Sequence, residues 1–215
     1  TSVQSLGLRT GAGAGREGGA GPAEGRAFLM GGFWVNVPIA APYVKNSPFQ
    51  LLDGNGRLKL AENDTPLLAV ELAPEPGFYR LKDEDGIPLG KIALLHGGDC
   101  LATTVLQDCV QWKRGRPCAF CGTRVSLNKG STLAVKTPKQ LALAAAEAAR
   151  EGLVSHVVLT SGTADPPGAE ILYLGICARA VKEASGLPVH VQFAPPEDLS
   201  LMKFLRNEGV DTVGI

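Results

Sequence analysis

Residues 136–163 read KTPKQLALAAAEAAREGLVSHVVLTSGT, a helix signal followed directly by a strand signal. Thr137 is a typical cap residue, Pro138 suits the first helical position, the interior is rich in alanine, and Gly152 is a typical terminator. The following LVSHVVLT, residues 153–160, is short, apolar and rich in β-branched side chains, which predicts a buried strand. The stretch therefore predicts one helix-to-strand step of an α/β fold.

The same alternation extends in both directions along the chain. LATTVLQ (101–107) predicts a strand before this step, and a helix at 169–185 followed by the strand LPVHVQF (187–193) is predicted after it. A further helix follows PPED (195–198), and GVDTVGI (209–215) begins another strand, so we expect the chain to be a fragment of a longer protein. Such alternation is typical of a parallel sheet or barrel, in which chemistry takes place at the carboxyl ends of the strands.

The region before residue 100 has a different character. FQLLDGNGRLKLAE (49–62) predicts a hairpin, because the glycines and asparagine of its centre tolerate positive φ. FYRLKDEDGIPLGKIALL (78–95) predicts a second hairpin around residues 84–86. Residues 9–32 are rich in glycine and alanine but lack the strand-and-helix context of a dinucleotide fingerprint and the ending of a P-loop, which favours a flexible surface loop.

The composition is that of a globular protein without a strong electrostatic field. The 215 residues are 45% hydrophobic, and 21 basic side chains balance 21 acidic ones. This balance favours neither nucleic acid nor anionic lipid as a partner, and no stretch approaches the roughly 18 to 20 apolar residues of a membrane helix. The five cysteines are odd in number and three are clustered, which fits a metal or cluster site in a reducing cytoplasm better than a disulfide framework.

The cysteine cluster lies in QDCVQWKRGRPCAFCGTR, residues 107–124. Its three thiols have the spacing C-x8-C-x2-C and belong to Cys109, Cys118 and Cys121. Thiolates are soft ligands suited to zinc or iron–sulfur clusters, and a structural zinc site requires four ligands. Cys100 and His96 are the candidates for a fourth, although a predicted core strand separates Cys100 from the cluster.

The other possible ligands fit poorly. Cys177 lies in the apolar run of a predicted helix, and His156 and His190 lie within predicted strands. Three cysteines without a fourth ligand would leave one iron of a four-iron cluster open to a small molecule, whereas structural clusters close their coordination with four thiolates.

On these residues the chain resembles the radical S-adenosylmethionine enzymes, whose usual motif is C-x3-C-x2-C with an aromatic residue before the last cysteine. Cys118-Ala119-Phe120-Cys121 matches the second half, while the first spacing is eight residues instead of three. The wider chain is similar to an uncharacterised radical-SAM family encoded beside nitrilase-like genes in bacteria. The segments that carry this similarity are VQSLGLR, GGAGPAEG, KIALLHGGDCLATTVLQDC, CAFC, KTPKQLA, LTSGT and PPED.

The composition and the pattern of predicted elements divide the chain into three parts of an α/β fold, and the resemblance implies the kind of barrel in the third. Residues 1–27 would be a Gly-rich flexible segment, and residues 28–99 a β-rich N-terminal region. Residues 100–215 would form part of a radical-SAM-type, TIM-like (βα) barrel, truncated after about the fourth strand.

The resemblance also implies a cofactor set and a reaction. Cys109, Cys118 and Cys121 would bind a [4Fe–4S] cluster, which would reductively cleave S-adenosyl-L-methionine to a 5′-deoxyadenosyl radical. That radical would abstract hydrogen from a small-molecule substrate of unknown identity, and a flavodoxin- or ferredoxin-like protein would supply the electron. Cofactor-binding roles fall on Phe120, Ser161, Gly162, Thr163 and Gln192, and no residue is assigned as catalytic.

Several of these assignments have alternatives. Gly162 also suits a plain strand-to-helix turn, and Gln192 also suits a core amide. The basic residues of the cysteine loop, which are Lys113, Arg114 and Arg116, suit tuning of a cluster, docking of an acidic electron donor, or simple solvation. Two other functions compete with a radical-SAM enzyme: a zinc-stabilised binding or scaffold module using the same cysteines with Cys100 or His96, and a nucleotide-binding enzyme using the N-terminal glycine loop.

Overall fold

A computed structural model describes residues 2–11, 25–73, 75–119 and 121–215. The fold is α/β, with a β-rich N-terminal region and two five-stranded sheets. Of the predicted Gly-rich segment 1–27, residue 1 and residues 12–24 lie outside the described residues. In the described residues on either side of 12–24, Leu8 is fully buried and Arg26 begins a strand.

The first sheet is entirely antiparallel, in the order β2-β1-β5-β4-β3. Its strands are β1 (Arg26–Met30), β2 (Phe33–Val37), β3 (Phe49–Gly54), β4 (Arg57–Glu62) and β5 (Thr65–Leu72), and helix α1 (Ser2–Leu6) precedes them in the chain. The predicted hairpin is confirmed: β3 and β4 are joined through Asn55 and Gly56, which have φ of 57° and 75°. Two positive φ values are the requirement of a tight turn whose twist matches the strands.

The second predicted hairpin is confirmed only at its turn, where Lys82 and Pro88 form a single antiparallel bridge around Gly86. The longer strands of the prediction are absent from the described residues 78–93, because the 3₁₀ turns Gly77–Arg80 and Leu89–Lys91 lie on either side of this bridge. Phe78 and Tyr79 are neighbours in the chain and both are buried, with their rings in edge-to-face contact at 4.8 Å. A strand would send their side chains to opposite faces, so burial of both rings favours the helical turn.

The second sheet has the order β10-β9-β8-β7-β6, and its last four strands in the chain are parallel. Its strands are β6 (Leu94–His96), β7 (Cys100–Thr104), β8 (His156–Thr160), β9 (Val189–Gln192) and β10 (Thr212–Gly214). The helices of this region are α2 (Val110–Lys113), α3 (Thr123–Asn128), α4 (Pro138–Arg150), α5 (Ala169–Ser185) and α6 (Ser200–Asn207). The predicted βα alternation is therefore confirmed, with β6 antiparallel to β7 at one edge.

Helix α4 begins as its sequence predicts. The Thr137 hydroxyl accepts the Gln140 amide at 3.2 Å, and the Gln140 side chain accepts the Thr137 amide at 3.0 Å. This reciprocal pair satisfies two amide groups that would otherwise have no helical partner. Leu141, Ala144 and Ala148 of the same helix are buried in the core.

In the part of the chain that the structure describes, the helices bury one face of the parallel sheet and not the other. Leu101, Val157, Leu159, Val189 and Val191 pack into the same buried cluster as α4 and α5. The residues between them in β7, β8 and β9 lie on the opposite face and are half-buried or exposed, as Ala102, Val158 and His190 are. Parallel sheets are ordinarily covered on both faces. None of the helices in the described ranges is both long and apolar enough to cross a membrane.

Candidate functional site at the carboxyl edge of the parallel sheet

The carboxyl ends of three strands form one polar row on the face that the helices do not cover. Thr104 ends β7 beside Thr160 of β8, and Thr160 pairs in register with Gln192 of β9. The two threonine hydroxyls are 2.8 Å apart, while the Gln192 side chain is exposed. The structure thus brings Gln192 to the same edge as the loops that follow β7 and β8.

The loop after β7 and the loop after β8 are joined by backbone hydrogen bonds. The Gly162 amide donates to the Leu106 carbonyl at 2.8 Å, and the Val110 amide donates to the Thr163 carbonyl at 2.9 Å. Cys109 lies between these two contacts and immediately precedes α2. The predicted Ser161–Thr163 segment therefore borders the first cysteine of the cluster.

Gly162 is required at this junction by space. A Cβ atom at position 162 would lie 2.8 Å from the Cβ of Cys109 and 2.9 Å from the Leu106 carbonyl oxygen. Neither neighbour is the end of a flexible side chain, so a larger residue would have to push the backbone of the cysteine loop away. The Ser161 hydroxyl donates to the Gly162 carbonyl at 2.9 Å, which leaves Ser161 on the same turn.

The Cys118–Cys121 pair forms a separate tight turn. The Cys121 amide donates to the Cys118 carbonyl at 3.0 Å, and the Cys121 sulfur lies 3.2 Å from the Thr123 hydroxyl at the start of α3. Cys118 is exposed, Cys109 and Cys121 are half-buried, and Phe120 lies outside the described residues. Partial burial opposes ionisation of Cys121, but hydrogen bonds from Thr123 and Trp112 outweigh it and lower the pKa of its thiol.

All three thiols are free, and they are not gathered into one group. Among the described residues, no set of three or more His, Cys, Asp and Glu side chains is arranged to hold a metal ion. The donor chemistry nevertheless fits a soft metal or an iron–sulfur cluster, because Cys109, Cys118 and Cys121 are reduced and follow one strand end. In a cluster bound there, Cys109 would be held by the hydrogen bonds that join the loops after β7 and β8, and the other two thiols would come from the part of the loop beyond α2.

The charged residues of the cysteine loop are largely paired. Lys113 lies 2.9 Å from Asp108, and Arg114 lies 2.9 Å from Asp165 in the loop after β8. Arg124 stacks over the Trp112 ring at 5.1 Å. Arg116 is exposed. The exposed ion pairs contribute about 0–1 kcal/mol each, so they help to position the loop more than they stabilise the fold.

The two proposed fourth ligands lie at the other end of the sheet. His96 and Cys100 are register partners at the amino end of β7, and β7 covers about 13 Å between Cys100 and Thr104. Burial, together with the charge of Asp99, raises the pKa of the Cys100 thiol to about 11. This placement does not favour a four-ligand zinc site that includes either residue.

The remaining candidates are occupied by structural roles. Cys177 is fully buried in α5, and burial raises the pKa of its thiol to about 12. His156 lies at the amino end of β8, where its Nδ1 is 3.0 Å from the Ser155 hydroxyl, and the Nδ1 of His190 is 2.7 Å from the Thr212 hydroxyl.

Sequence reasoning missed two buried polar residues beside the site. Gln107 is 1% exposed, and its amide nitrogen donates to the Thr123 carbonyl at 3.0 Å, which ties the two ends of the cysteine loop together. Lys136 is fully buried, and its ammonium group reaches the carbonyl of Thr104. The sequence signal for burial of Lys136 is its position directly after the apolar Leu133-Ala134-Val135. That signal is weak because Lys136 also directly precedes the cap of a helix, where charged residues are common.

No protein-family model, curated protein or solved structure matches this chain.

Proposed function

We propose that the chain belongs to a radical-SAM enzyme. Cys109, Cys118 and Cys121 would hold a [4Fe–4S] cluster, and S-adenosyl-L-methionine would bind at its open iron. When bound and reduced, this pair supplies a 5′-deoxyadenosyl radical for hydrogen abstraction from a small-molecule substrate. The electron would come from a flavodoxin- or ferredoxin-like donor.

One observation carries the proposal: the contact between Gly162 and Cys109 at the carboxyl edge of a parallel sheet. The C-x8-C-x2-C loop and the Ser161–Thr163 turn are far apart in sequence but are joined by two short backbone hydrogen bonds. Chemistry in parallel α/β folds is concentrated at this edge. Cys109 lies at this edge in contact with the polar Ser161–Thr163 turn, and this arrangement suits a cofactor bound between the two loops.

The uncovered face of the sheet supports the finer fold assignment. In a (βα) barrel the helices surround the strands and the other face of the sheet lines the interior. The helices of this chain likewise bury only the face that contains Leu159 and Val191, while Thr160 and Gln192 lie on the other. We therefore interpret the four parallel strands as part of a TIM-like barrel whose interior begins at that second face.

Different residues of the carboxyl edge would bind different parts of S-adenosylmethionine and the substrate. Ser161 and Thr163 offer hydroxyls and carbonyls to the amino group of the methionine portion, while Gly162 keeps the turn close to Cys109. Gln192 offers an amide to cofactor or substrate from the third parallel strand. Phe120, which precedes Cys121 in the sequence, would contact the adenine ring.

Anaerobic reconstitution of the protein with iron and sulfide tests the proposal directly. We expect about four irons per chain, broad absorption near 400 nm, and 5′-deoxyadenosine after addition of S-adenosylmethionine and dithionite. Cys109→Ala should lose the cluster, while Cys100→Ala, at the opposite end of β7, serves as the matched control and should retain it. A colourless protein that binds zinc and never iron and sulfide would reject the assignment in favour of a zinc module.

A further inference from the structure

Lys136 is a buried cation that has no acidic partner among the residues the structure describes. Its side chain is fully inaccessible, and its ammonium nitrogen donates to the Thr104 carbonyl at 2.7 Å and to the Leu133 carbonyl at 3.3 Å. No carboxylate of the described residues contributes to its pKa, which burial alone lowers to about 8. The lysine is therefore still mostly protonated near pH 7.

Packing alone does not explain a lysine at this position. An apolar side chain such as methionine would fill a similar volume without the cost of burying a charge, and buried lysines are ordinarily paired. Strongly perturbed ionisable groups are found preferentially at functional sites. A charge kept inside the fold at such a cost points to a charge of opposite sign in the functioning protein.

The surroundings of Lys136 show where that opposite charge would lie. The segment 104–107 pairs with 133–136, because the Lys136 amide donates to the Val105 carbonyl at 3.0 Å and the Gln107 amide donates to the Ala134 carbonyl at 2.8 Å. The same segment leads directly into Cys109, and its Leu106 carbonyl accepts the Gly162 amide. The ammonium group thus lies at the base of the cysteine loop.

The rest of the lysine is also held in place. The Tyr173 hydroxyl of α5 donates to the Lys136 carbonyl at 2.9 Å, and the next residue, Thr137, caps α4. Lys136 is therefore fixed by a strand end, a helix start and a neighbouring helix. A charge in such a fixed and water-excluded position interacts more strongly with its neighbours than one at the surface.

We propose that Lys136 is a positioning residue with two effects. Its buried ammonium group anchors the segment that leads into the cysteine loop, and its positive charge stabilises the anionic iron–sulfur group that the loop would bind. This inference rests on the proposed function. One-electron reduction adds a negative charge to that group, with the electron supplied by the external donor. A cation beneath the loop therefore favours the reduced form and raises the reduction potential.

The test compares wild type with Lys136→Met, which removes the charge, and Lys136→Arg, which keeps it. Each protein is reconstituted anaerobically, its iron content is measured, and its midpoint potential is determined by a dithionite titration followed by electron paramagnetic resonance. We expect Lys136→Met to load a cluster whose reduction equilibrium is about tenfold less favourable, which corresponds to about 59 mV for one electron. Lys136→Arg should restore most of the potential.

The outcomes separate this inference from the proposed function. A wild-type protein that takes up no cluster overturns both. If the wild type loads a cluster and Lys136→Met has the same midpoint potential, only the role of Lys136 is overturned. The same conclusion follows if Lys136→Arg and Lys136→Met have equal midpoint potentials. Lys136→Gln keeps a donor for the Thr104 carbonyl without charge, and unfolding of both neutral variants would show that the lysine is purely structural.

Discussion

The backbone amide of Gly162 lies 2.8 Å from the carbonyl oxygen of Leu106, so the turn after β8 is bonded to the segment that leads into the first cysteine. Residues 106 and 162 are far apart in the chain, and parallel pairing of β7 with β8 brings them together. Each loop therefore limits the conformations of the other.

Substituting Gly162 by alanine should disturb the cysteine loop. The added methyl group would meet the Cβ of Cys109 at 2.8 Å, and overpacking of this kind typically costs about 1–3 kcal/mol. We expect a lower free energy of unfolding in urea and reduced iron uptake on reconstitution.

Gly54→Ala is the matched control for this substitution. Gly54 lies in the β3–β4 hairpin, its φ is not positive, and nothing lies within 4 Å of an added Cβ. Its effect should stay within about 0.5 kcal/mol. Equal effects of the two substitutions would mean that the contact at Gly162 does not limit the loop.

The Cys109 thiol should be indispensable for the cluster despite its long spacing from the other two. Cys109→Ser removes the soft ligand with little change of volume, so we expect loss of iron and sulfide with a nearly unchanged unfolding midpoint. Cys177→Ser, in the core of α5, should show the reverse: a loss of stability and a retained cluster. A Cys109→Ser protein with full iron content would require another ligand.

Lys136 should make stability rise with pH above about 8. Burial lowers its pKa from the ordinary 10.5 to about 8, so between these values the unfolded chain binds more protons than the folded one. Stability therefore increases across this window, and the full difference corresponds to about 3 kcal/mol. Urea unfolding at pH 7, 8, 9 and 10 measures the change.

The comparison with Lys136→Met isolates this effect from other titrations. The buried thiols of Cys100 and Cys177, whose pKa values are raised to about 11 and about 12, lower stability above pH 9 in both proteins. The free energy of unfolding of wild type should therefore increase relative to that of the variant as the pH rises from 8 to 10. A constant difference would show that Lys136 does not titrate in this range.

The cap of α4 should contribute measurably to stability. Thr137→Ala removes the acceptor for the Gln140 amide, and such losses typically cost about 1 kcal/mol. Thr137→Ser retains the hydroxyl and should remain within a few tenths of a kcal/mol of wild type. Chemical denaturation of the three proteins checks the order, and an alanine variant as stable as wild type would contradict it.

Local signals in the sequence were sufficient for most of the second sheet. Thr137 and Pro138 fixed the start of α4, and Gly186 follows the last residue of α5 with φ of 70°. The apolar runs around Val157 and Val191 identified strands that are buried on one face. These predictions succeeded because each depends on neighbours only a few residues away.

The failures share a different physical origin. The turn signal around Gly86 predicts a hairpin that extends back to Phe78, but Phe78 and Tyr79 form a 3₁₀ turn because both rings are buried in a core whose other members are distant in the chain. Lys136 and Gln107 were missed because their burial depends on contacts with Thr104 and Thr123, which no local pattern contains. The contact of Gly162 with Cys109 likewise becomes visible only once the strands are paired.

The different exposure of the cysteines sets an order of vulnerability to oxidants and alkylating reagents. Cys118 faces solvent, Cys109 and Cys121 are partly shielded, and Cys100 and Cys177 are enclosed. In air, oxidation of the metal-free protein would begin in the cysteine loop, favoured by exposure at Cys118 and by the lowered pKa at Cys121, and would reach the core last. Anaerobic handling therefore matters most for the thiols of the cysteine loop, which the fold shields least.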